Sequence, residues 1–280
     1  DKDWLDEKSD KSLVVPGTLK DFEKLLDNSS EVMNNRYPIL GELGADDYYL
    51  DDATWSASYA ATRNSYIWSK DIFEGQTEYD WNYPYKRVFY ANTVLEGLDK
   101  ITVTSQNQVQ YNTLKGRALF FRAHAFYSIA ELFAPVYNKL TAESELGIPL
   151  RLKADMNEKS ERSTLEQTYQ QILSDLKEAA LLLPQTDSYK TRPVKAAALG
   201  LMARVYLSMS DYENAFAMAD EALKLNTTLL DYNTLDLFGY NPFLPFNEEM
   251  VFYAQLSYNE GLYPGYFNVV SALIDLYQPN

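Results

Sequence analysis

Aromatic and polar side chains are interleaved over residues 55–83, and this combination is typical of a surface that binds sugars. A sugar ring has an apolar C–H face that stacks on a flat aromatic ring, while its hydroxyl edges need hydrogen-bonding partners. The segment and the loop before it carry both kinds of group. The residues that we predict to form a ligand-binding site are Asp47, Trp55, Arg63, Tyr66, Trp68, Trp81 and Asn82.

A second interpretation stays open for each of these rings, because aromatic side chains also fill junctions between loops and helices. Helical periodicity is poor over residues 27–80, so core packing explains the rings there least well. We therefore expect at least two of Trp55, Trp68 and Trp81 to face solvent. Trp81 is the weakest candidate for solvent exposure, since it also begins an apolar stripe with Tyr85 that would bury it.

Catalytic chemistry is poorly represented in the 280 residues. The chain has no Cys, which excludes disulfides, thiol nucleophiles and Cys-ligated metals. Its one His, His124, stands beside Phe121 and Tyr127 on a predicted helix, where packing or a helix–helix hydrogen bond is its expected role. No nucleophile elbow, Walker loop, dinucleotide fingerprint or His-Glu-x-x-His motif occurs. We expect neither an enzyme nor a cofactor.

Acidic side chains are abundant, with 40 Asp and Glu against 25 Lys and Arg and a net charge of −15. This charge argues against a nucleic-acid partner and against an anionic membrane surface. Carboxylate pairs of the glycosidase kind are too frequent here to indicate a site. Four loop acids have oxygens that suit a hard cation, but the calcium-loop pattern is absent and we expect solvated acids and no metal: Asp46, Asp47, Asp51 and Asp52.

Helical periodicity begins at Trp81 and predicts the elements that position these residues. Asn92 interrupts the apolar face of the first helix, so we expect it to satisfy a neighbouring backbone group. A second helix is predicted over 111–133, followed by an extended Gly147–Leu150. A capping box at Ser163–Glu166 predicts the start of a third helix. Pro193 is expected in the first turn of a fourth, and Asp211 is expected to cap a fifth.

The last helix pair, over Ala196–Asn226, has the spacing of a tetratricopeptide repeat, with small residues where its helices cross. Residues 81–133 and 163–183 are predicted to be degenerate relatives of that unit. The fold class is therefore mostly α, with tetratricopeptide-like helical hairpins stacked in a solenoid and an irregular, loop-rich ligand-binding part. A short strand is predicted at Glu249–Ala254 and a final helix over 267–277.

Several stretches, taken in order, resemble the SusD/RagB family of outer-membrane nutrient-binding lipoproteins. They span nearly the whole chain, and no single one of them is highly specific. They are Asp3–Asp6, Trp81–Asn92, Lys115–Ala123, Gly147–Leu150, Arg162–Thr164, Leu182–Pro184, Ala196–Leu207 and Glu249–Phe252.

The resemblance implies a non-catalytic protein that binds a glycan, or a peptide in some members, at the cell surface. It also implies delivery to a TonB-dependent, SusC-like outer-membrane transporter. Contact with the membrane would be made only through an N-terminal lipid anchor, on a Cys expected just before Asp1. The family's site residues vary with the ligand and are not carried over.

The organisation expected from these patterns is one SusD-like unit over 1–280 with three parts. These are a leader with aromatic-rich loops (1–80), helical hairpins (81–226) and the start of an irregular ligand-binding region (227–280), which is expected to continue beyond Asn280. Two other functions stay open. One is a tetratricopeptide scaffold whose ligand is a protein, and the other is a glycoside hydrolase.

Overall fold

The computed structural model describes residues 16–236, 238–239, 241–257 and 268–277, and helices predominate in this part of the chain. The α-helices are α1 (Leu19–Leu26), α2 (Leu40–Leu43), α3 (Asp52–Ala57), α4 (Ala60–Tyr66), α5 (Tyr79–Leu98), α6 (Gln108–Phe133), α7 (Leu165–Leu182), α8 (Lys195–Ser208), α9 (Tyr212–Leu225) and α10 (Ser271–Ile274). A π-helical turn spans Ser29–Met33 and a 3-10 turn spans Tyr232–Thr234. Asp3–Asp6, the first of the stretches that carry the family resemblance, lies outside the described residues.

Two small antiparallel sheets complete the described elements. β1 (Tyr48–Tyr49) pairs with β4 (Asn268–Val269), and β2 (Leu146–Pro149) pairs with β3 (Arg162–Thr164). β2 is the extended segment that the sequence predicted after α6. Since β4 comes from the end of the described chain, the first sheet joins distant parts of the sequence beside the predicted site.

The five long helices pack in chain order, each of α5 to α8 against the helix that follows it. α6 lies at the centre of the core and buries residues on every side, including Phe120, Phe121 and Phe126. The predicted hairpin of α8 and α9 is confirmed, while the stacking of hairpins into a solenoid stays a prediction. No helix of the described residues is both long enough and apolar enough to cross a membrane.

Helix ends follow local side-chain chemistry, with two corrections to the sequence analysis. The Asp211 cap is confirmed, because its side chain accepts from the N–H group of Asn214. Thr18 caps α1 in the same way by accepting from the N–H group of Asp21. The capping box of α7 is shifted by one residue from the predicted Ser163–Glu166, because Thr164 is the cap and pairs with Gln167. Pro193 precedes Val194, the N-cap of α8, instead of lying in the first turn.

The C-terminal elements were predicted less well. Glu249–Ala254 does not form the predicted strand, although its neighbour Leu256 makes an isolated parallel bridge with Tyr37. Of the helix predicted over 267–277, only the four residues of α10 are helical, and Phe267 lies outside the described residues. Apolar spacing alone did not predict whether these short segments are helical or extended, because their conformation depends on pairing with residues far away in sequence.

Two helical glycines provide a matched test of this packing. A Cβ on Gly97 in α5 would lie 2.2 Å from Cζ of Phe22, which is buried, whereas a Cβ on Gly200 in α8 would meet nothing within 4 Å. Gly200→Ala is expected to raise the free energy of unfolding by about 0.5–1 kcal/mol through helix propensity. Gly97→Ala is expected to lower it by about 1–3 kcal/mol through overpacking. Urea unfolding of both variants checks this, and equal stabilities would contradict the packing of α1 on α5.

Candidate functional site

The predicted site begins in a unit of short elements over residues 40–68, held together by side-chain hydrogen bonds. The indole N–H of Trp68 donates to Gly44 O at 3.1 Å, and that of Trp55 donates to Arg63 O at 3.3 Å. The backbone N–H of Leu50 donates to the hydroxyl of Tyr66 at 3.1 Å. Four predicted site residues, Trp55, Arg63, Tyr66 and Trp68, therefore belong to one connected unit.

Trp68 is the exposed ring of this unit, with 81% of its surface open to solvent. Its φ of 53° lies in the left-handed region, which is costly for a bulky side chain and is tolerated where the surroundings impose it. The ring lies about one van der Waals contact from Gly44, since a Cβ there would be 3.7 Å from Trp68 Cε2. Trp68 is thus an exposed ring in a fixed orientation, and we call this ring and its support at Gly44 the Trp68 platform.

The polar groups of the other members are largely used inside the unit. Trp55 and Tyr66 are half-buried, and Tyr66 packs against Tyr48 with ring centroids 5.7 Å apart. Arg63 donates from Nη1 to Ser58 O at 3.0 Å. Trp55 is not one of the solvent-facing tryptophans expected from the sequence, because its ring is half-buried and its indole nitrogen bonds Arg63 O on α4. These side chains therefore stabilise the unit that carries Trp68 and add little to its exposed surface.

Asp47 lies at the edge of the unit with its side chain exposed. Its backbone oxygen accepts from Val270 N at 3.1 Å, next to the β1–β4 pairing. Three exposed large side chains of this unit were not predicted as site residues: Tyr49 is 48% exposed, Tyr59 is 68% exposed and Ile67 is 54% exposed. Their only signal was membership of the same polar segment.

Trp81 and Asn82 lie on α5 and belong to a different environment. The Trp81 ring packs edge-on against Phe133 and tilted against Tyr85, with ring centroids 5.1 Å apart in each case. It is half-buried, so the expectation that at least two of the three tryptophans face solvent is wrong: only Trp68 does. Asn82 is exposed on the same helix. The sequence-predicted set is therefore split between two places.

Trp81 lines a cavity of about 480 Å³ between α5 and the chain after β2, which we call the α5 cavity. Its other lining residues include an aromatic pair on α5, four charged side chains and one hydroxyl: Tyr85, Phe89, Lys86, Arg151, Lys153, Asp155 and Ser160. Tyr85 was predicted to lie on the apolar stripe of this helix. Helical spacing alone does not show which residues of an apolar stripe are covered by a packed segment and which remain exposed to a cavity.

The predicted role of Asn92 is confirmed at the edge of the α5 cavity. Its side-chain amide donates to Arg151 O at 2.9 Å and to Lys153 O at 3.2 Å. Its oxygen accepts from Arg122 Nη1 at 3.0 Å. A fully buried amide thus fastens the chain after β2 to α5, as expected of a buried polar group that must be hydrogen-bonded.

The loop acids do not gather into a cation site. Asp51 caps α3 by accepting from Thr54 N at 2.8 Å, and these hydrogen bonds lower the pKa of its carboxyl. Asp46 and Asp52 are exposed. Among the residues that the structure describes, no group of three or more His, Cys, Asp or Glu side chains could hold a metal ion.

His124 is a packed side chain, as expected. Its ring centroid lies 4.8 Å from that of Tyr37 and 5.7 Å from that of Phe120. Burial lowers the pKa of His124 to about 3, and the positive charges of Arg87 and Arg204 act in the same direction. The imidazole is therefore neutral at physiological pH.

Comparison with known proteins places this architecture in a known group. A family model, SusD-like_3, described as "Starch-binding associating with outer membrane", matches residues 3–207. SusD-like protein P2 of Formosa agariphila is 29% identical over 143 residues, which are 51% of this chain and 25% of that protein.

Two solved structures extend the likeness over most of the described fold. A Bacteroides vulgatus protein is 28% identical with a TM-score of 0.66, and the match covers 76% of this chain and 47% of that one. A SusD superfamily protein of Bacteroides thetaiotaomicron is 25% identical with a TM-score of 0.66, covering 77% of this chain and 49% of that one. The chain thus spans about half the length of these solved relatives.

Proposed function

Because the chain belongs to the SusD-like family, whose members are non-catalytic binding proteins, we propose that it captures glycans on the outer membrane. The observation that carries this proposal is the Trp68 platform. An exposed indole held in one orientation offers a flat apolar face without the cost of ordering a mobile side chain on binding. The family's description as starch-binding supports a carbohydrate as the stacked ligand.

The hydroxyl edges of a bound glycan need partners beside the platform. Asp47, which is exposed at the edge of the same unit, remains a proposal for this role. Asn82 remains a proposal for a ligand contact on α5, where its side chain is also exposed. Arg63 contributes its remaining N–H donors, because one of its five binds Ser58. Trp55 and Tyr66 support the unit that carries Trp68, and Trp81 belongs to the α5 cavity.

The proposal extends to delivery of the glycan to a TonB-dependent, SusC-like transporter, from a lipid anchor on the cell surface. Association with the outer membrane in the family description supports this step. A protein partner is supported by an exposed apolar stripe along one face of α9: Tyr212, Phe216 and Leu223. The same stripe keeps a protein-binding scaffold as the second candidate function.

We expect Trp68→Ala to weaken retention of the bound glycan in affinity electrophoresis by about tenfold or more, as for the loss of a central aromatic contact. A polysaccharide array that includes soluble starch identifies the glycan first. The melting temperature should stay near that of the wild type, because the lost ring is mostly exposed. Phe216→Ala, which removes a ring that is 75% exposed on α9, is the control and should bind normally.

Unchanged retention by Trp68→Ala would contradict the assignment of the platform. Trp55→Ala gives a contrasting result: it should melt at a lower temperature, because a half-buried ring and its hydrogen bond to Arg63 are lost. A glycan shortened during incubation with the protein would favour the glycoside hydrolase over the binding protein.

A further inference from the structure

We propose that the α5 cavity is a second binding site and that its ligand is an acidic sugar, a hexuronate unit of a glycan. That the ligand is a sugar rests on the proposed function, whereas the preference for a carboxylate comes from the cavity itself. The cavity contains one residue of the predicted site, Trp81, and is otherwise built from residues to which no ligand-binding role has been assigned.

The floor of the cavity is aromatic. Trp81, Tyr85 and Phe89 follow one another at intervals of four residues along α5, so their side chains lie on one face of the helix. Phe133 supports the Trp81 ring from α6 through an edge-on contact. A volume of about 480 Å³ lies within the range of small-ligand pockets and suits one or two sugar rings.

The opposite wall is held in place by side chains of α5. The hydroxyl of Tyr85 donates to Pro149 O at 2.8 Å, and Glu96 Oε1 accepts from Ala154 N at 2.8 Å. Between these two points, Asn92 holds the carbonyl groups of Arg151 and Lys153. The cavity is therefore formed before any ligand arrives, and little ordering of the wall opposes binding.

The charge of the cavity is opposite to that of the chain. The lining contains Lys86, Arg151 and Lys153 against one carboxylate, Asp155, in a protein whose net charge is −15. Arg151 is already engaged, since its Nη1 donates to Ser160 Oγ at 2.6 Å. Its Nε also lies 3.8 Å from Glu158 Oε2, so Arg151 is paired with a carboxylate as well.

The ammonium groups of Lys86 and Lys153 are available to a ligand. Within the part of the chain that the structure describes, neither has an ion-pair or hydrogen-bond partner. Two unpaired cations around an aromatic floor complement a ligand with one apolar face and one negative charge. A hexuronate has both features. A neutral sugar would leave the cations unpaired, and a free phosphate would leave the rings uncovered.

The test is calorimetric titration of the whole chain with a short hexuronate oligosaccharide and with its carboxyl-reduced, neutral counterpart. We expect the acidic ligand to bind and the neutral one to bind at least about fivefold more weakly, in keeping with one charge-assisted contact. Lys86→Gln and Lys153→Gln should each weaken binding of the acidic ligand to a similar degree. Lys100→Gln, at an exposed position just after α5, is the matched control and should change nothing.

A fluorescence titration gives an independent readout. The hexuronate should change the emission of the wild type, and Trp81→Phe should abolish that change while keeping a ring on Phe133. The proposal is overturned if the neutral ligand binds equally well, if both Lys variants behave as wild type, or if neither ligand binds. In each of these cases retention of a neutral glycan by the Trp68 platform would remain intact, which separates this failure from a failure of the proposed function.

Discussion

Replacing Asp175 with Ala is expected to lower the free energy of unfolding by about 3–5 kcal/mol, because it leaves a buried guanidinium without its counter-charge. Asp175 on α7 accepts two hydrogen bonds from Arg122 on α6, from Nε and from Nη2, each at 2.7 Å. Both residues are buried. Gln171 adds a third donor at 2.8 Å, so the carboxylate is well satisfied in the folded protein.

Loss of Asp175 should also disturb the α5 cavity, because Arg122 donates a hydrogen bond to the side-chain oxygen of Asn92 at its edge. Urea unfolding measures the loss of stability. Asp220→Ala, which breaks an exposed ion pair with Lys224 on α9, is the matched control and should cost less than about 0.5 kcal/mol.

A double variant distinguishes the loss of the Arg122–Asp175 pair from the cost of leaving Arg122 as an unpaired buried charge. The double replacement Arg122→Met and Asp175→Leu removes both charges at similar volume and should recover much of the stability. If Asp175→Ala were as stable as the wild type, the bidentate contact between α6 and α7 would be contradicted.

Acidification is expected to destabilise the protein through its one histidine. The pKa of His124 is lowered to about 3 by burial first and by Arg87 and Arg204 second, whereas an unfolded histidine titrates near 6.5. Between about pH 3 and pH 6.5, His124 therefore binds a proton in the unfolded chain but stays neutral in the folded chain. The stability that His124 contributes is complete above about pH 6.5 and is lost as the pH falls toward 3.

The expected loss is about 1 kcal/mol per pH unit between about pH 6 and pH 5, a window above the titration of most carboxyl groups. Unfolding in urea at several pH values measures it. His124→Leu should flatten the dependence in that window, and its cost at neutral pH should be modest because Nδ1 has no hydrogen-bond partner among the described residues. An imidazole NMR signal that titrates near pH 6.5 in the folded protein would contradict this prediction.

Local chemistry made several elements predictable from the sequence. Thr18 and Asp211 cap helices because a short oxygen-bearing side chain reaches the free N–H groups of the first turn, which requires only neighbours in sequence. Asn92 was assigned to a backbone partner because a polar group on an apolar stripe must be satisfied. Its actual partners, the carbonyl groups of Arg151 and Lys153, lie in a distant segment that the sequence did not identify.

The site was predicted only in part, because exposure is decided by contacts across the chain. Trp55 and Trp68 occur in the same polar, weakly periodic segment, and nothing in that segment distinguishes them. The structure turns the indole nitrogen of Trp55 inward to Arg63 and lays Trp68 across Gly44, so one ring is half-buried and the other is exposed. The α5 cavity was missed for the same reason, since its wall comes from a segment after β2.

The sequence by itself determined a mostly helical chain without Cys or metal-binding motifs, rich in aromatic rings and acidic side chains, and its resemblance to the SusD/RagB family. These properties follow from the composition, from the 3.6-residue period of apolar side chains and from the capping residues. Each of the last two depends only on neighbours within one or two helical turns. Only the tertiary structure decided that Trp68 is the free platform, that Trp81 belongs to another cavity, and that Lys86 and Lys153 lie around it. The physical reason is that burial and charge pairing depend on which distant segments meet, and that is settled by packing of the whole chain.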